Sequence, residues 1–232
     1  MKTRNTLCGI LSVFVGVLML GGCGASYQAR SVDVAQSVLV NPSVLEKGGD
    51  DQALYRYRNP DVKVGQYTKI IIDPVFIVKD AELDEKERAN YQTLANNAYA
   101  YLVQELQQDY QIVSAPEMGT MRLQLAIVDA DTSKPVRNVL SSVSPIGIGV
   151  SLLKYGATGK QSGVGEITAE IKLTDAITGT LLGAALDKRV GGKDPKGIID
   201  TWYNADQALL YWAKQVRYVM CTERGGAACV KP

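Results

Sequence analysis

Acidic side chains form the cluster in this sequence that is most suggestive of chemistry. Paired carboxylates can act as acid and base in hydrolysis, or they can bind a hard cation through oxygen. The same residues also suit the first turn of a helix, where each carboxylate stabilises the helix dipole by about 0.3–1 kcal/mol. Because the cluster lacks the glycine and the ligand spacing of a calcium-binding loop, the sequence favours the helix start. Its members are Asp80, Glu82, Asp84, Glu85 and Glu87.

The absence of histidine from all 232 residues restricts the chemistry further. Ser-His-Asp catalysis, Cys-His catalysis and histidine-ligated metal sites are excluded. The segment Gly147-Ile148-Gly149 does not continue into G-x-G-x-x-G, so we expect no nucleotide binding. We therefore predict no catalytic residue, no metal and no cofactor. The alternative is an enzyme that uses carboxylates for an unrecognised reaction.

Three other groups of residues could form a site, but each also has a structural interpretation. Asp73-Pro74 interrupts a β-branched run and indicates a bulge or a sheet edge. Tyr55-Arg56-Tyr57-Arg58 could stack on a ligand, although such alternation is more typical of an edge strand or a docked tether. Trp202 and Trp212 could bind a partner helix, although packing on the domain's own sheet is favoured.

The first 22 residues have the pattern of an export signal. Lys2 and Arg4 precede an uncharged hydrophobic stretch over residues 7–20. A basic start and a short apolar middle are typical of secretory signals, and the stretch is shorter than the roughly 18 residues of a spanning helix. The segment Leu20-Gly21-Gly22-Cys23 follows and resembles the lipobox of bacterial lipoproteins.

The lipobox resemblance implies cleavage before Cys23 and acylation of that cysteine. One acyl chain binds a membrane only marginally, whereas two or more, at about 0.8 kcal/mol per buried CH₂, hold it stably. An Asp after the cysteine is the usual signal for retention at the inner membrane, and Gly24 stands there instead. We therefore expect acyl chains on Cys23 to anchor the protein in the outer membrane, facing the periplasm.

The remaining cysteines predict a disulfide. Cys8 leaves with the signal, so Cys221 and Cys229 are unassigned, and an oxidising periplasm favours their pairing. In the chain-entropy model a loop this short contributes roughly 2–3 kcal/mol. A redox or metal pair is the alternative, which the wide spacing and the lack of histidine disfavour.

The charge of the mature chain excludes one class of partner. Removal of Lys2 and Arg4 leaves 23 basic and 24 acidic side chains, a net charge of −1. A nearly neutral chain lacks the basic surface that attracts the phosphate backbone, so we predict no nucleic-acid binding.

Turn-forming clusters divide the mature chain into a tether over residues 23–66 and a single domain over residues 67–232. Two pieces of the tether, residues 38–42 and 54–57, are less polar, and we expect them to dock on the domain. Hydrophobic periodicity predicts the elements of the domain. Strands are expected near residues 69–78, 110–113, 121–128, 167–174 and 181–187, with helices over residues 84–108 and 199–220.

This order of elements indicates an α+β fold. We expect a mostly antiparallel sheet of about four to five strands, with the two main helices packed on one face. Tyr91, Leu94, Ala98, Leu102 and Leu106 should form the apolar stripe of the first helix. The apolar stripe of the second helix should consist of Trp202, Ala205, Leu209, Trp212, Val216 and Val219.

Five short segments are informative when they are taken together. They are Tyr67-Thr68-Lys69-Ile70-Ile71-Ile72-Asp73-Pro74-Val75, Gly119-Thr120-Met121-Arg122-Leu123, residues 165–170, Asp175-Ala176-Ile177-Thr178-Gly179 and Trp212-Ala213. In this order, over most of the mature chain, they resemble a family of Gram-negative lipoproteins known only as a domain of unknown function. The resemblance implies a periplasmic lipoprotein and supplies no catalytic residues.

A long insertion over residues 132–163 is the remaining feature with functional potential. Connections in compact domains have medians of about 4–6 residues, and longer ones are often functional or disordered. Its apolar centre includes Ile146, Ile148, Leu152 and Leu153, which either fold back on the sheet or contact the membrane or a partner. We predict a non-catalytic domain that binds or scaffolds another envelope protein. Two alternatives remain. One is the carboxylate enzyme, and the other is an oligomeric, membrane-associated secretion or transport component.

Overall fold

Ten strand segments and two long helices make up the part of the chain that the structure describes. The computed structural model describes residues 26–79, 83–129, 141–143, 166–191 and 201–232. The helices are α1 (Glu85–Leu106) and α2 (Thr201–Glu223). The strands are β1 (Ser26–Gln28), β2 (Glu46–Lys47), β3 (Tyr55–Arg58), β4 (Lys69–Ile72), β5 (Val75–Lys79), β6 (Gln111–Ile112), β7 (Thr120–Asp129), β8 (Ser141–Val143), β9 (Glu166–Asp175) and β10 (Leu181–Gly191).

All ten strands belong to one mixed sheet. Its order is β2-β3-β10-β9-β7-β4-β6. Beyond the end of β3, β1 pairs with the same edge of β10. On the other side, β5 continues β4 along β7, and β8 pairs with β5. The pairs of β7 with β4 and β5, and of β4 with β6, are parallel, whereas the others are antiparallel.

The predicted sheet of about four to five mostly antiparallel strands is therefore wrong in strand number and in pairing, although the α+β class holds. Parallel pairs arise because α1 carries the chain from the end of β5 back to the start of β6, and such a helical crossover joins parallel strands. Three strands that the sequence did not predict have only two or three residues each, which is too short for the alternation that predicts a strand. They are β1, β2 and β8. The alternation over residues 55–58 did indicate a strand or a docked tether, and β3 lies there.

Both helices pack on one face of the sheet and enclose the main core. Helix α1 begins with a capping box in which Asp84 and Glu87 each accept a backbone N–H from the other, so the predicted helix start is confirmed. All five residues of its predicted apolar stripe are buried. In α2, Trp212 is buried, whereas Val219 is 43% exposed, because the buried stripe continues through Ala213 and Met220 and leaves Val219 at its side. Within the described residues, no helix has the length and apolar character needed to cross a bilayer.

The irregularity at Asp73-Pro74 lies between two strands that pair with the same neighbour. Ile72 pairs with Leu123 and Phe76 pairs with Ala126. Four residue steps from β4 to β5 therefore lie opposite three residue steps along β7. The predicted bulge is therefore present.

Parts of residues 26–66 pair with the sheet and pack on it, which differs from the tether predicted over residues 23–66. The expected docking of residues 38–42 and 54–57 agrees with the structure, but the strands β1 and β3 show that much more of the segment is fixed. Between β1 and β2 the chain crosses the face of the sheet opposite the helices, where Val32 and Leu45 are buried. The extended backbone and short 3₁₀ turns of this crossing give no periodic signal in the sequence.

This second face has two apolar clusters that the crossing segment covers. Alternation along β7 turns Leu125 and Ile127 toward the helices and Ala126 and Val128 away from them. The first cluster joins Val32 and Leu45 to Ala184 and Leu186 on β10. The second joins Val38, Leu39 and Phe76 to Val78, Ala126 and Val128.

Candidate functional site

Glu170 is the polar group most deeply buried at the centre of the sheet. It lies in the middle of β9, its exposure is 0%, and its side chain points to the face that residues 37–40 cross. The Ser37 hydroxyl lies 2.7 Å from Oε1, and the Val40 N–H donates to the same oxygen at 3.2 Å. The N–H groups of Val38 and Leu39 donate to Oε2 at 2.6 and 2.9 Å.

These four donors occupy the carboxylate completely. A carboxylate has about four lone-pair directions, and each oxygen of Glu170 faces two donors. Consecutive backbone N–H groups that converge on one anion form a nest, here with a side chain of the same protein as the anion. While residues 37–40 are docked, Glu170 has no free lone pair for a metal or for a proton from a substrate.

Asp187 forms a second buried junction, on the helix side of the sheet. Its Oδ1 accepts from the Gln28 side chain at 2.7 Å and from the Leu54 N–H at 3.2 Å. Its Oδ2 accepts from the indole N–H of Trp212 at 2.8 Å. One carboxylate therefore connects β1, the residue before β3, and α2. This contact also shows that Trp212 packs on its own sheet.

Arg189, two residues further along β10, holds the first described residue. Its guanidinium donates to the hydroxyl of Ser26 at 3.0 Å and to the Ser26 carbonyl at 2.7 Å. The guanidinium carbon lies 3.6 Å from the ring centroid of Tyr211, so the cation stacks on an aromatic face of α2. Ser26 also pairs with Gly191 across the sheet.

Asp206 connects the two helices. It accepts hydrogen bonds from the Asn97 amide at 2.7 Å and from the Tyr101 hydroxyl at 2.9 Å. Burial, followed by the hydrogen bond to Asp206, raises the pKa of Tyr101 to about 12. Tyr101 therefore stays a neutral donor at physiological pH and contributes to helix packing.

An ionic cluster joins the C-terminal ends of the helices. The Arg217 guanidinium donates to Asp109 at 2.8 Å, and Arg224 pairs with the other oxygen of the same carboxylate. Burial alone would raise the pKa of Asp109, but the hydrogen bonds from Arg217 and Arg224 outweigh it and lower the pKa below its ordinary value. Asp109 therefore remains ionised well into the acidic range.

A disulfide links Cys221 and Cys229 beside this cluster, and their Cα atoms lie 5.6 Å apart. Gly226 fits inside the loop because a Cβ there would lie 2.6 Å from the Cys221 sulfur. Next to the disulfide is an open groove of about 420 Å³. Its lining mixes both charges and includes Glu105, Lys214, Arg217, Tyr218, Val230 and Lys231.

In the part of the chain that the structure describes, the acidic cluster forms the helix start that the sequence favours. Asp84 and Glu87 cap α1, while Asp80 and Glu82 lie outside the described residues. No group of three metal-ligating side chains occurs in the described ranges. Asp73 forms an ion pair with Arg122 at 2.6 Å.

The other predicted site residues are divided between described and undescribed parts of the chain. Tyr55 and Tyr57 pack half-buried against β10, as expected for a docked strand. Cys23 lies outside the described residues, as do the predicted contact residues Ile146, Ile148, Leu152 and Leu153. Within the insertion the structure describes only β8, which extends the sheet beside β5.

Sequence reasoning missed Glu170, Asp187 and Arg189. The alternation over residues 167–174 assigns Glu170 to a face in water, and nothing local indicates that residues 37–40 cover it. The charged sequence Asp187-Lys188-Arg189 could have indicated charged groups within a strand, because β10 continues through these residues to Gly191.

The described residues thus define an α+β domain whose buried charged groups hold its own N-terminal segment in place. The chain belongs to the family described as "Protein of unknown function (DUF3313)", whose model matches residues 34–216. This match confirms the resemblance to a family of unknown function, and it begins inside the segment that the sequence predicts to be a tether. No curated protein matches the sequence.

Three solved structures have loose similarity to this chain. A DUF4136 family protein from Bacteroides thetaiotaomicron has 14% identity and a TM-score of 0.38, with 75% of this chain and 98% of that chain covered. The PelC dodecamer from Paraburkholderia phytofirmans has 11% identity and a TM-score of 0.34, with 75% and 96% covered. A putative lipoprotein from Caulobacter crescentus has 10% identity and a TM-score of 0.31, with 71% and 94% covered. Similarity at this level establishes no function.

We expect Glu170→Gln to destabilise the domain by about 2–4 kcal/mol, because an amide NH₂ would then face N–H groups that have lost their acceptor. The free energy of unfolding in urea at neutral pH measures this effect. Lys172→Gln, on the same face of β9 but partly exposed, is the matched control and should change stability by no more than about 0.5 kcal/mol. Equal effects of the two substitutions would contradict the prediction.

We expect Asp109→Asn to lose about 1–3 kcal/mol of stability at pH 7, because charge-assisted hydrogen bonds are removed. A carboxylate with a lowered folded pKa contributes stability above its unfolded pKa and loses it as pH falls through the folded value. The difference between wild type and variant should therefore shrink as the pH falls from about 5 toward 2. Unfolding curves across this range test the prediction, with the exposed Asp61→Asn as control. A difference that does not depend on pH would refute it.

Proposed function

We propose that this protein is a lipid-anchored envelope protein with a non-catalytic periplasmic domain that binds another envelope protein. The observation that carries the proposal is the lipobox-like segment Leu20-Gly21-Gly22-Cys23 at the end of an export signal. Ser26, three residues after the cysteine that would be acylated, is paired in the sheet, so acyl chains on Cys23 would hold the domain directly. A disulfide between Cys221 and Cys229 also suits an oxidising compartment.

The proposed lack of catalysis is supported by how the described buried charges are used. Glu170, Asp187 and Arg189 are each bound to groups of the same chain. General acid–base catalysis needs a group within reach of substrate whose proton can move. These three side chains instead hold β1, residues 37–40 and α2 together.

The proposed location is the outer membrane, with the domain in the periplasm. Gly24 follows the cysteine, and an Asp at this position would be the usual signal for retention at the inner membrane. Acyl chains on Cys23 would provide the membrane contact, since two or more chains hold a protein stably.

The proposed partner contact is the insertion between β7 and β9. The strand ends that flank it, Asp129 and Glu166, lie at the same end of the sheet as Ser26. Ser26 pairs with Gly191, Val190 with Glu166, and Val128 with Thr168. Apolar residues in an insertion of this length would be available to a second envelope protein near the anchor. These are Ile146, Ile148, Leu152 and Leu153.

We expect Cys23→Ser to abolish acylation and to release or mislocalise the domain. Mass spectrometry of the N-terminal peptide and membrane fractionation give the two readouts. Cys8→Ser, inside the export signal, is the matched control and should leave acylation unchanged. A wild-type protein without an acyl mass, together with unchanged fractionation of the Cys23 variant, would disprove the proposal.

We expect serine at positions 146, 148, 152 and 153 to leave the thermal midpoint nearly unchanged while weakening co-purification with envelope proteins. The control is the pair Met118→Ser and Ile177→Ser, which replaces exposed apolar residues at the other end of the sheet. A large fall in the midpoint would mean that the four residues belong to the core. The contact hypothesis would then be abandoned.

A further inference from the structure

Beyond the end of α2 the chain turns back toward the helix. The Gly226 N–H donates to the Cys221 carbonyl at 3.0 Å, and the Gly225 N–H donates to the Thr222 carbonyl at 3.0 Å. With the positive φ of 76° at Gly225, these two bonds form a Schellman motif. The motif reverses the chain, so that residues 228–232, which we call the tail, lie beside α2.

The disulfide between Cys221 and Cys229 holds the tail to α2. Gly226 lies close to both sulfur atoms, and a Cβ on it would be 2.6 Å from the Cys221 sulfur and 3.0 Å from the Cys229 sulfur. Glycine at this position therefore lets the reversed chain bring the two sulfurs together. Both cysteines are partly exposed, so a thiol or a disulfide of another molecule can reach the bond.

Past the disulfide, the tail contacts the N-terminal segment. The Lys231 ammonium nitrogen lies 2.7 Å from a carboxylate oxygen of Asp51, in the turn between β2 and β3. The Asp51 carbonyl accepts a hydrogen bond from the Gln215 side chain of α2 at 3.2 Å. The same turn binds β1, because the Gln28 side chain donates to the Gln52 carbonyl at 2.8 Å. The tail, α2 and the N-terminal segment therefore meet at this turn.

The ion pair between Lys231 and Asp51 depends on the disulfide. Both side chains are largely exposed to water, and an exposed ion pair is weak by itself. Lys231 lies two residues after Cys229, so the disulfide raises its effective concentration beside Asp51. With the disulfide open, the tail would be joined to α2 only through Gly225-Gly226-Ala227, a small and flexible link, and the ion pair would lose this advantage.

The groove beside the disulfide depends on the same covalent bond. One of its walls consists of side chains from α1 and α2, among them Glu105, Lys214 and Tyr218. The other wall is the tail itself. Release of the tail would therefore remove one wall, and the groove of about 420 Å³ exists only while the disulfide is closed.

We propose that Cys221 and Cys229 form a redox latch for the tail. In closing, one cysteine thiolate attacks a disulfide of another protein, and the second thiolate then displaces that protein from the mixed disulfide. The Cys221–Cys229 bond forms, and the other protein leaves as a dithiol with the two electrons and two protons of the cysteine thiols. Opening is the reverse reaction, with a protein dithiol as the reductant. The closed latch fixes the tail, the groove and the turn that carries Asp51, and the open latch frees them. This inference does not depend on the lipid anchor.

Hydrogen exchange of the full-length protein, purified in detergent, tests the latch. The oxidised protein is compared with protein reduced by dithiothreitol under native conditions, and alkylation of Cys221 and Cys229, located by mass spectrometry, shows that the bond is open. We expect reduction to speed exchange of the Gly226 amide at least about fivefold. Amides of residues 48–54 should exchange about two- to fivefold faster, because their turn loses the contact with Lys231. Amides of α1 should change by less than about twofold.

Three variants separate the latch from a general loss of stability. The double substitution Cys221→Ser and Cys229→Ser should reproduce the reduced state. Lys231→Ala, with the disulfide intact, should speed exchange in residues 48–54 and leave the Gly226 amide unchanged. The matched control is Lys214→Ala, which alters the same groove and should leave residues 48–54 unchanged. A bond that dithiothreitol cannot reduce in the folded protein, unchanged exchange in residues 48–54 after reduction, or equally faster exchange throughout the domain would overturn the latch.

Discussion

The fold depends on keeping the carboxylate of Glu170 paired with donors while it lies buried at the centre of the sheet. A buried charge without partners costs several kcal/mol, so β9 can occupy its central position only while donors cover that side chain. The donors come from residues 37–40, which lie 130 to 133 positions earlier in the chain. The sheet and the N-terminal segment therefore form one cooperative unit.

Charged pairing of the same kind on the helix side of β10 extends this unit to the start of the domain. Asp187 binds Gln28, and Arg189 binds Ser26. Hydrogen bonds to charged groups contribute about 1.5–3 kcal/mol each, more than the few residues of β1 could gain from packing alone. These hydrogen bonds hold Ser26 and Gln28 against β10.

The parts of the fold that the sequence predicted are those whose signals are local. Helix α1 has its capping box and its buried stripe within 23 consecutive residues, so periodicity and capping were enough. Glu170 lacked such a signal, because alternation identifies the face a residue lies on but not what covers that face. The parallel pairs of β4 and β5 with β7 likewise depend on where a helical crossover returns the chain. The candidate site was missed for the same reason, since each of its contacts joins distant segments.

The same long separation makes Glu170 useful for specifying the correct docking of the N-terminal segment. Loop closure across more than a hundred residues is slow, so β9 can pair with β7 before residues 37–40 are in place. Glu170 is then still in water and costs nothing. Apolar contacts of Val38 and Leu39 with the second face would tolerate several alignments, because hydrophobic attraction has no direction. The carboxylate accepts only the alignment that brings three consecutive N–H groups to its two oxygens, and any other alignment would bury a charge without its donors.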